Sequence, residues 1–157
     1  MCGIAGCFGI KDTTTINRML DALPHRGPDD RGIHTFNGTV FGHTRLSIVD
    51  VAGGHQPILT NGGRTGIICN GEIYNFRNLR QNLITKHEFT TQSDTEVILH
   101  LYREKGPECV KELDGMFAFA IFDGDNFMLA RDPIGIKPLY YGYVRDKLYF
   151  TSELGAM

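Results

Sequence analysis

The sequence predicts a single α+β domain, and three observations support this prediction. Strand-like segments occupy both ends of the chain, two helical segments follow one another directly in the middle, and tight-turn dipeptides separate neighbouring strands. Short hairpin connections pair strands in antiparallel fashion and cannot build a parallel doubly wound sheet. The chain has 157 residues, of which 41% are hydrophobic and 22% charged, so one globular domain with one core is expected.

The individual elements follow from hydrophobic periodicity and from glycine and proline punctuation. Alternating small and apolar residues predict the first strand, and apolar residues spaced three or four apart predict each helix. The strands are expected over 2–10, 33–36, 39–49, 65–69, 116–122, 127–131, 139–144 and 148–151, and the helices over 15–23, 76–86 and 94–105.

Local signals indicate where several elements begin and end. Asn37-Gly38 predicts a hairpin with a type I′ turn, in which φ is positive at both residues, and further turns are expected at 123–126 and 145–147. The strand over 65–69 is expected to end at Asn70-Gly71. Ser93 and Glu96 form the S-x-x-E pattern of a capping box, in which each side chain binds the other residue's backbone N–H. Asp94 then lies in the first turn of the third helix.

Composition excludes several classes of function. The net charge of −2 provides no electrostatic footprint for nucleic acid or for an anionic membrane. The apolar start lacks a preceding basic residue and no apolar run approaches about 20 residues, so neither a signal peptide nor a membrane span is expected, and the protein is predicted to be cytoplasmic. The cysteines and histidines show no disulfide or zinc spacing. No metal is expected, and Cys7, Cys69 and Cys109 are interpreted as core residues.

Cys2 is the first candidate for chemistry, because removal of Met1 would give one residue a thiol and a free α-amine. An α-amine titrates at about 7.7–8.0 and a thiol at about 8.5, so the amine can accept the thiol proton near neutral pH. The thiolate is the nucleophilic form. The alternative interpretation is that Cys2 is a small apolar residue at the start of a strand.

Three further positions could bind an amino-acid substrate. Asn70-Gly71 could supply an amide donor and a backbone N–H to an oxyanion, or could be an ordinary turn. Arg45 lies among apolar strand residues, where a charge requires an anion, either a bound carboxylate or an internal Asp or Glu. Asp94 could bind an α-ammonium group, or could be explained by the helix macrodipole.

Together these residues describe a site for an amino acid with a side-chain amide, and at this point the sequence resembles a known family. It is similar to the class II glutamine amidotransferases, the N-terminal nucleophile (Ntn) glutaminases, and most of all to the glutaminase domain of glutamine-hydrolysing asparagine synthetases. The blocks that carry the resemblance are CGIAG at Cys2, HRGPDD at His25, GHTRLSIVD at Gly42, QPI at Gln56, NGEIYN at Asn70, SDTE at Ser93, LDGMFAFAIFD at Leu113, RDPIGIKPLYY at Arg131 and SE at Ser152.

The resemblance implies a four-layer αββα sandwich and a role for each site residue. Cys2 would be the nucleophile once Met1 is cleaved, Asn70 and Gly71 would bind the oxyanion, and L-glutamine would lie between Arg45 and Asp94. The substrate-binding residues implied are Arg45, Leu46, Ser47, Ile48, Val49, Asn70, Gly71, Glu72 and Asp94. The HRGPDD and RDPIGIKPLYY blocks are interpreted as architectural, with Arg131 paired to Asp132.

The sequence also departs from this family. Asparagine synthetases continue into a synthetase domain that uses ATP and Mg²⁺, and this chain stops at Met157. The domain is therefore expected to be C-terminally incomplete, with exposed sheet edge that could support a homodimer, and with no cofactor of its own. It would supply ammonia to an absent synthetase domain or subunit that makes asparagine from aspartate. The alternatives are another ammonia acceptor, or a non-catalytic glutamine-binding or interaction module.

Overall fold

Two antiparallel sheets form the centre of the computed structural model, which describes residues 1–124 and 126–157. Asp125, part of the predicted turn at 123–126, lies outside the described residues. One sheet has the strand order β2-β3-β1-β9-β8 and the other β4-β5-β6-β7. The strands are β1 (Gly3–Phe8), β2 (Asp30–Phe36), β3 (Thr39–Arg45), β4 (Ile58–Thr60), β5 (Thr65–Ile73), β6 (Gly115–Phe122), β7 (Phe127–Arg131), β8 (Tyr140–Val144) and β9 (Lys147–Thr151), and the α-helices are α1 (Thr13–Asp21), α2 (Phe76–Leu83) and α3 (Asp94–Lys105).

Three apolar layers hold these elements together and give the αββα order that the resemblance implies. Helix α1 packs on the first sheet, the two sheets pack on each other, and α2 and α3 pack on the second sheet. Successive strand residues alternate between layers, as in Ile67 and Ile68 of β5, because side chains in a strand point to opposite faces. The α+β sandwich is confirmed.

The same alternation explains why one end of the space between the sheets is polar. Ile4, Phe41 and Ile68 face the opposite sheet, and residues two or four positions before or after them in extended chain share that face. Cys2, Arg45 and Asn70 therefore point towards the same end of this space. The pairing of Gly3 with Thr44 brings Cys2 beside Arg45.

Strand β5 is longer than expected, and this corrects the prediction that it ends at Asn70-Gly71. It runs from Thr65 to Ile73, with Asn70 opposite Ala118 and Gly71 opposite Phe117 of β6. The dipeptide is therefore part of the sheet and does not form a turn. Pairing with β6 has overridden the local turn preference of Asn-Gly.

The hairpin turns differ from the sequence prediction in detail. Asn37-Gly38 does join β2 to β3, but only Gly38 has a positive φ, so the turn is not type I′. Arg145 and Asp146 join β8 to β9, and φ is positive at both residues, as the type I′ geometry requires. Tertiary constraints on the strands thus decided the turn type against the residue preference.

The start of α3 at Asp94 is confirmed, although its cap is not the predicted reciprocal box. The Ser93 hydroxyl accepts a hydrogen bond from the Thr95 N–H at 3.2 Å. The Glu96 carboxylate reaches further back, to the N–H groups of Thr90 at 2.8 Å and Thr91 at 2.7 Å. Glu96 therefore binds backbone N–H groups of the segment before the helix. In the predicted capping box it would have bound the Ser93 N–H.

Within the described residues, none of the helices combines the length and the apolar character that crossing a bilayer would require.

Strand β8 is an edge strand with an apolar exposed surface. Its Tyr141, Tyr143 and Val144 are all exposed.

Candidate active site

A cavity of about 240 Å³ opens at the polar end of the space between the sheets. Sites for drug-sized ligands usually measure about 300–1,000 Å³, so this cavity suits a molecule as small as a single amino acid. It is lined by Met1, Cys2, Arg45, Leu46, Ile48, Val49, Gly54, Gln56, Cys69, Asn70, Gly71, Glu72, Ser93, Asp94, Thr95, Met116 and Lys137.

Cys2 is the nucleophile candidate on the wall of this cavity. Its Sγ accepts a hydrogen bond from the Leu46 N–H at 3.4 Å. Burial raises the pKa of the thiol, while the Leu46 N–H, the chain N-terminus, Arg45 and Lys137 act in the opposite direction. The site therefore contains several groups that would stabilise a thiolate.

Arg45 is buried at 4% exposure and has no carboxylate partner among the described residues. Its guanidinium donates instead to the backbone oxygens of Val49, Asp50 and Val51 at 2.6–3.1 Å. These three bonds use three of the five N–H groups of an arginine. No hydrogen bond of the remaining two N–H groups is found among the described residues, and the internal Asp or Glu ion pair considered from the sequence is not found there either. Burial acts to raise the pKa of the neighbouring Asp30, and the charge of Arg45 is one of the contributions that lower it.

Asp94 lies across the cavity in the first turn of α3. Its Oδ2 accepts a hydrogen bond from the Ile73 N–H at 2.8 Å, so the carboxylate spans from the helix to β5. Burial raises the pKa of Asp94, and the nearby Glu72 carboxylate adds to this effect. A cation bound here would relieve both contributions.

The open edge of β5 presents backbone groups to the cavity. Alternate residues of an antiparallel strand direct their N–H groups to the same edge. The Cys69 N–H binds the Gln56 side chain at 2.6 Å and the Ile73 N–H binds Asp94, both on the side away from β6. The N–H of Gly71, halfway between them, faces the same edge and is a donor towards the cavity.

Asn70 supplies a second donor at this point. The residue is 1% exposed, and its Nδ2 group has no hydrogen-bond partner within the described part of the chain. An unpaired buried amide of this kind costs about 1–3 kcal/mol. The cost is explained if the group binds a substrate oxygen.

The packing of β5 against β6 requires a glycine at position 71. A Cβ at this position would lie 2.4 Å from the Met116 backbone oxygen and 2.7 Å from the Phe117 Cα. The glycine therefore permits the close approach of β6.

Of the nine predicted substrate-binding residues, Ser47 alone does not line the cavity. Its N–H donates to the Asp29 carboxylate at 2.7 Å. Asp29 belongs to the HRGPDD block, so this contact anchors the segment that carries Leu46 and Ile48.

Sequence reasoning missed two residues that hold the site together. Arg26, from the HRGPDD block, donates through Nε to the Cys2 backbone oxygen at 2.9 Å and through Nη1 to Glu153 at 2.6 Å. Gln56 binds both the N–H and the C=O of Cys69, as a neighbouring strand would. The only sequence signal was the presence of both residues in the blocks that carry the resemblance.

The described cysteines are all free, and Cys7, Cys69 and Cys109 are buried in the core, as predicted. Cys69 also lines the cavity. Burial raises the pKa of its thiol well above the usual value, so Cys69 is a poor nucleophile beside Cys2. Among residues 1–124 and 126–157, no group of three His, Cys, Asp or Glu side chains is placed to hold a metal ion.

Replacement of Arg45 by lysine is expected to weaken the binding of an amino acid in this cavity roughly 10- to 100-fold, because a charge-assisted hydrogen bond contributes about 1.5–3 kcal/mol and lysine lacks the planar fork. Titration with the twenty amino acids, followed by the shift in Tm, tests this expectation. Arg103→Lys, on the exposed face of α3, is the matched control. An unchanged affinity in the Arg45 variant for an amino acid that the wild type binds would contradict the assignment.

A cysteine thiol, an unpaired amide donor, a backbone N–H, a guanidinium and a carboxylate thus line one small cavity of the αββα sandwich, an arrangement that suits an amidotransferase. In agreement with this, the family model for the glutamine amidotransferase domain matches residues 1–157, so the chain belongs to that family. It matches the glutaminase part of glutamine-hydrolysing asparagine synthetases. It is 49% identical to a probable asparagine synthetase of Schizosaccharomyces pombe and 45% identical to asparagine synthetase B of Escherichia coli, in each case over 100% of this chain and 30% of the relative.

Solved structures agree on the fold. The glutamine phosphoribosylpyrophosphate amidotransferase of B. subtilis superposes with a TM-score of 0.80 at 23% identity, over 99% of this chain and 42% of that chain. An allosteric regulatory enzyme of purine biosynthesis superposes with a TM-score of 0.85 at 27% identity, over the same shares. The chain thus spans less than a third of the asparagine synthetases it matches.

Proposed function

We propose that this domain hydrolyses L-glutamine to glutamate and ammonia through a thioester on Cys2. The observation that carries the proposal is a set of groups around one cavity that lack a matching partner among residues 1–124 and 126–157. The Arg45 guanidinium has no carboxylate within ion-pair distance, Asn70 Nδ2 has no hydrogen-bond partner, and the Asp94 carboxylate has no cation within ion-pair distance. These groups complement the α-carboxylate of one amino acid, the oxyanion that forms from its side-chain amide, and its α-ammonium group.

The reaction begins at Cys2 after Met1 has been removed. The free α-amine accepts the thiol proton, and the thiolate attacks the side-chain amide carbon. Asn70 Nδ2 and the Gly71 N–H bind the oxyanion that forms. The α-ammonium of Cys2 then protonates the nitrogen of the substrate amide, and ammonia leaves. Water hydrolyses the γ-glutamyl thioester that remains, which releases glutamate and regenerates Cys2. While Met1 is attached, the nitrogen of Cys2 is an amide without a basic lone pair, so this route is closed.

The acceptor of the ammonia is proposed to lie in a synthetase domain or subunit that uses ATP and Mg²⁺ to activate aspartate. The names of the curated relatives, glutamine-hydrolysing asparagine synthetases, support this assignment. A cytoplasmic location and a homodimer remain predictions. The exposed apolar surface of β8 supports the homodimer.

Removal of Met1 is expected to switch on glutamate release. Two samples of the chain are compared, one with Met1 removed and one with Met1 retained, each verified by intact mass. We expect release only from the first sample. Equal release from both samples would contradict a role for the α-amine.

A glutamine analogue carrying an electrophilic chloroketone provides a second test that does not depend on turnover. It is expected to label Cys2 alone, as located by peptide mass analysis. Labelling of Cys69 instead would overturn the assignment of the nucleophile. Saturable glutamine binding by the Met1-free chain without glutamate release would instead favour the non-catalytic binding module.

A further inference from the structure

The RDPIGIK segment joins β7 to β8 and is folded around one buried carboxylate. Asp132 accepts hydrogen bonds from the N–H groups of Ile136 at 2.8 Å, Lys137 at 3.0 Å and Phe117 at 3.3 Å. Burial acts to raise the pKa of Asp132, but these N–H donors outweigh it and hold the pKa below its usual value. The loop is therefore built on an anionic Asp132.

Arg131 also stabilises this loop, as a donor to its backbone oxygens. It donates to the backbone oxygen of Lys137 at 2.8 Å and to that of Gly135 at 2.6 Å. The predicted ion pair between Arg131 and Asp132 is absent among the described residues, because each side chain binds the loop backbone instead. Gly135, with φ of 75°, supplies the left-handed turn that brings the loop back.

Lys137 is the residue whose backbone binds both Arg131, through its oxygen, and Asp132, through its N–H. It is only 6% exposed and lines the same cavity as Cys2. No carboxylate lies within ion-pair distance of its ammonium among the described residues, and no hydrogen-bond partner of Nζ is found there. Nζ is not among the fully buried polar atoms that lack a partner, so the ammonium reaches the open space of the cavity that Lys137 lines, and its charge is expected to act there.

We propose that Lys137 is a positioning residue for the hydrolysis, whose ammonium stabilises the Cys2 thiolate and disfavours protonation of the α-amine that Met1 removal exposes. Lys137 acts through Cys2 and is not assigned a contact with the substrate. The inference rests on the proposed function of Cys2. It also explains the RDPIGIK block, which the amino-acid site leaves without a role.

The sign of the effect follows from the charges around Cys2. A positive neighbour favours the thiolate and opposes a second positive charge on the amine, so Lys137 lowers the pKa of both groups. Its charge acts on Cys2 in the same direction as that of Arg45. The other titratable or charged groups facing this region are Arg26 with Glu153 from the loop and tail, Cys69 and Glu72 from β5, Asp94 from α3, and Asp132 from the loop itself. The carboxylates Glu72 and Asp94 act in the opposite direction.

Alkylation of Cys2 by iodoacetamide, followed as a function of pH by peptide mass analysis, tests this inference without requiring turnover. In Lys137→Met the midpoint of the alkylation profile is expected to move to higher pH by about 0.5 unit, since loss of a nearby positive charge disfavours the thiolate. Lys137→Arg should restore the wild-type midpoint. Lys111→Met, at an exposed position remote from the cavity, should leave it unchanged.

The pH profile of kcat/KM for glutamate release provides the second readout. Its acid limb is expected to move to higher pH in Lys137→Met, with recovery in Lys137→Arg. Coincident alkylation profiles for wild type and Lys137→Met, or failure of arginine to restore the midpoint, would overturn the role of Lys137. Absence of glutamate release from the Met1-free wild type would instead count against the proposed function, and the alkylation result would still decide the charge effect.

Discussion

Glutamate release is expected to fall by about 10⁴-fold or more in Cys2→Ala, because the reaction has no other route to a covalent intermediate. The remaining cysteine that lines the cavity, Cys69, is buried at 2% exposure and has a raised pKa, so it cannot take over. The measurement is the initial rate of glutamate formation by the Met1-free chain and its variant.

Glutamine binding separates loss of chemistry from loss of fold in this variant. Arg45 and Asp94 are unchanged in Cys2→Ala, so saturating glutamine should raise the Tm of the variant as it does that of the wild type. A variant that binds glutamine and still retains one part in a hundred of the wild-type rate would rule out Cys2 as the nucleophile.

Asn70→Ala is expected to lower kcat by about 10²–10³-fold, equivalent to about 2.7–4 kcal/mol for one oxyanion donor, with little change in KM. The donor interacts with charge that develops only in the transition state, so it contributes to kcat more than to substrate binding. Because Asn70 Nδ2 has no partner among the described protein groups, the substitution removes no hydrogen bond made by this group within the fold. Steady-state kinetics and thermal unfolding of the same sample test both statements.

Asn78→Ala, on the exposed face of α2, is the matched control and should leave kcat unchanged. If Asn70→Ala raised KM alone, Asn70 would bind glutamine in the ground state. If both constants stayed at the wild-type values, the oxyanion donors would have to lie elsewhere in the cavity.

Much of the site was predictable because its residues carry unusual chemistry at local positions. Arg45 is a charge in an apolar strand, Cys2 follows the initiating methionine, and Ser93 marks the start of α3 directly before Asp94. Arg26, Gln56 and Lys137 gave no such signal. An arginine in a polar loop, a glutamine before a proline and a lysine near a strand are common in surface segments, and only their long-range contacts make them part of the site.

The sequence by itself determined the α+β class, since alternating apolar residues, helical spacing and capping residues are local properties, and its resemblance to a known family implied the αββα order. It also pointed to Cys2, Arg45, Asn70 and Asp94. Only the tertiary structure decided which backbone and side-chain groups of these residues and their neighbours face the cavity. Pairing with β6 extended β5 through Asn70-Gly71, where the sequence predicted the strand to end, and left the Gly71 N–H on the edge away from β6. The hydrogen bonds of Arg131 and Asp132 to the backbone of Lys137 fixed this residue in the cavity wall. These outcomes depend on contacts between residues far apart in the chain, whose free energies local patterns do not encode.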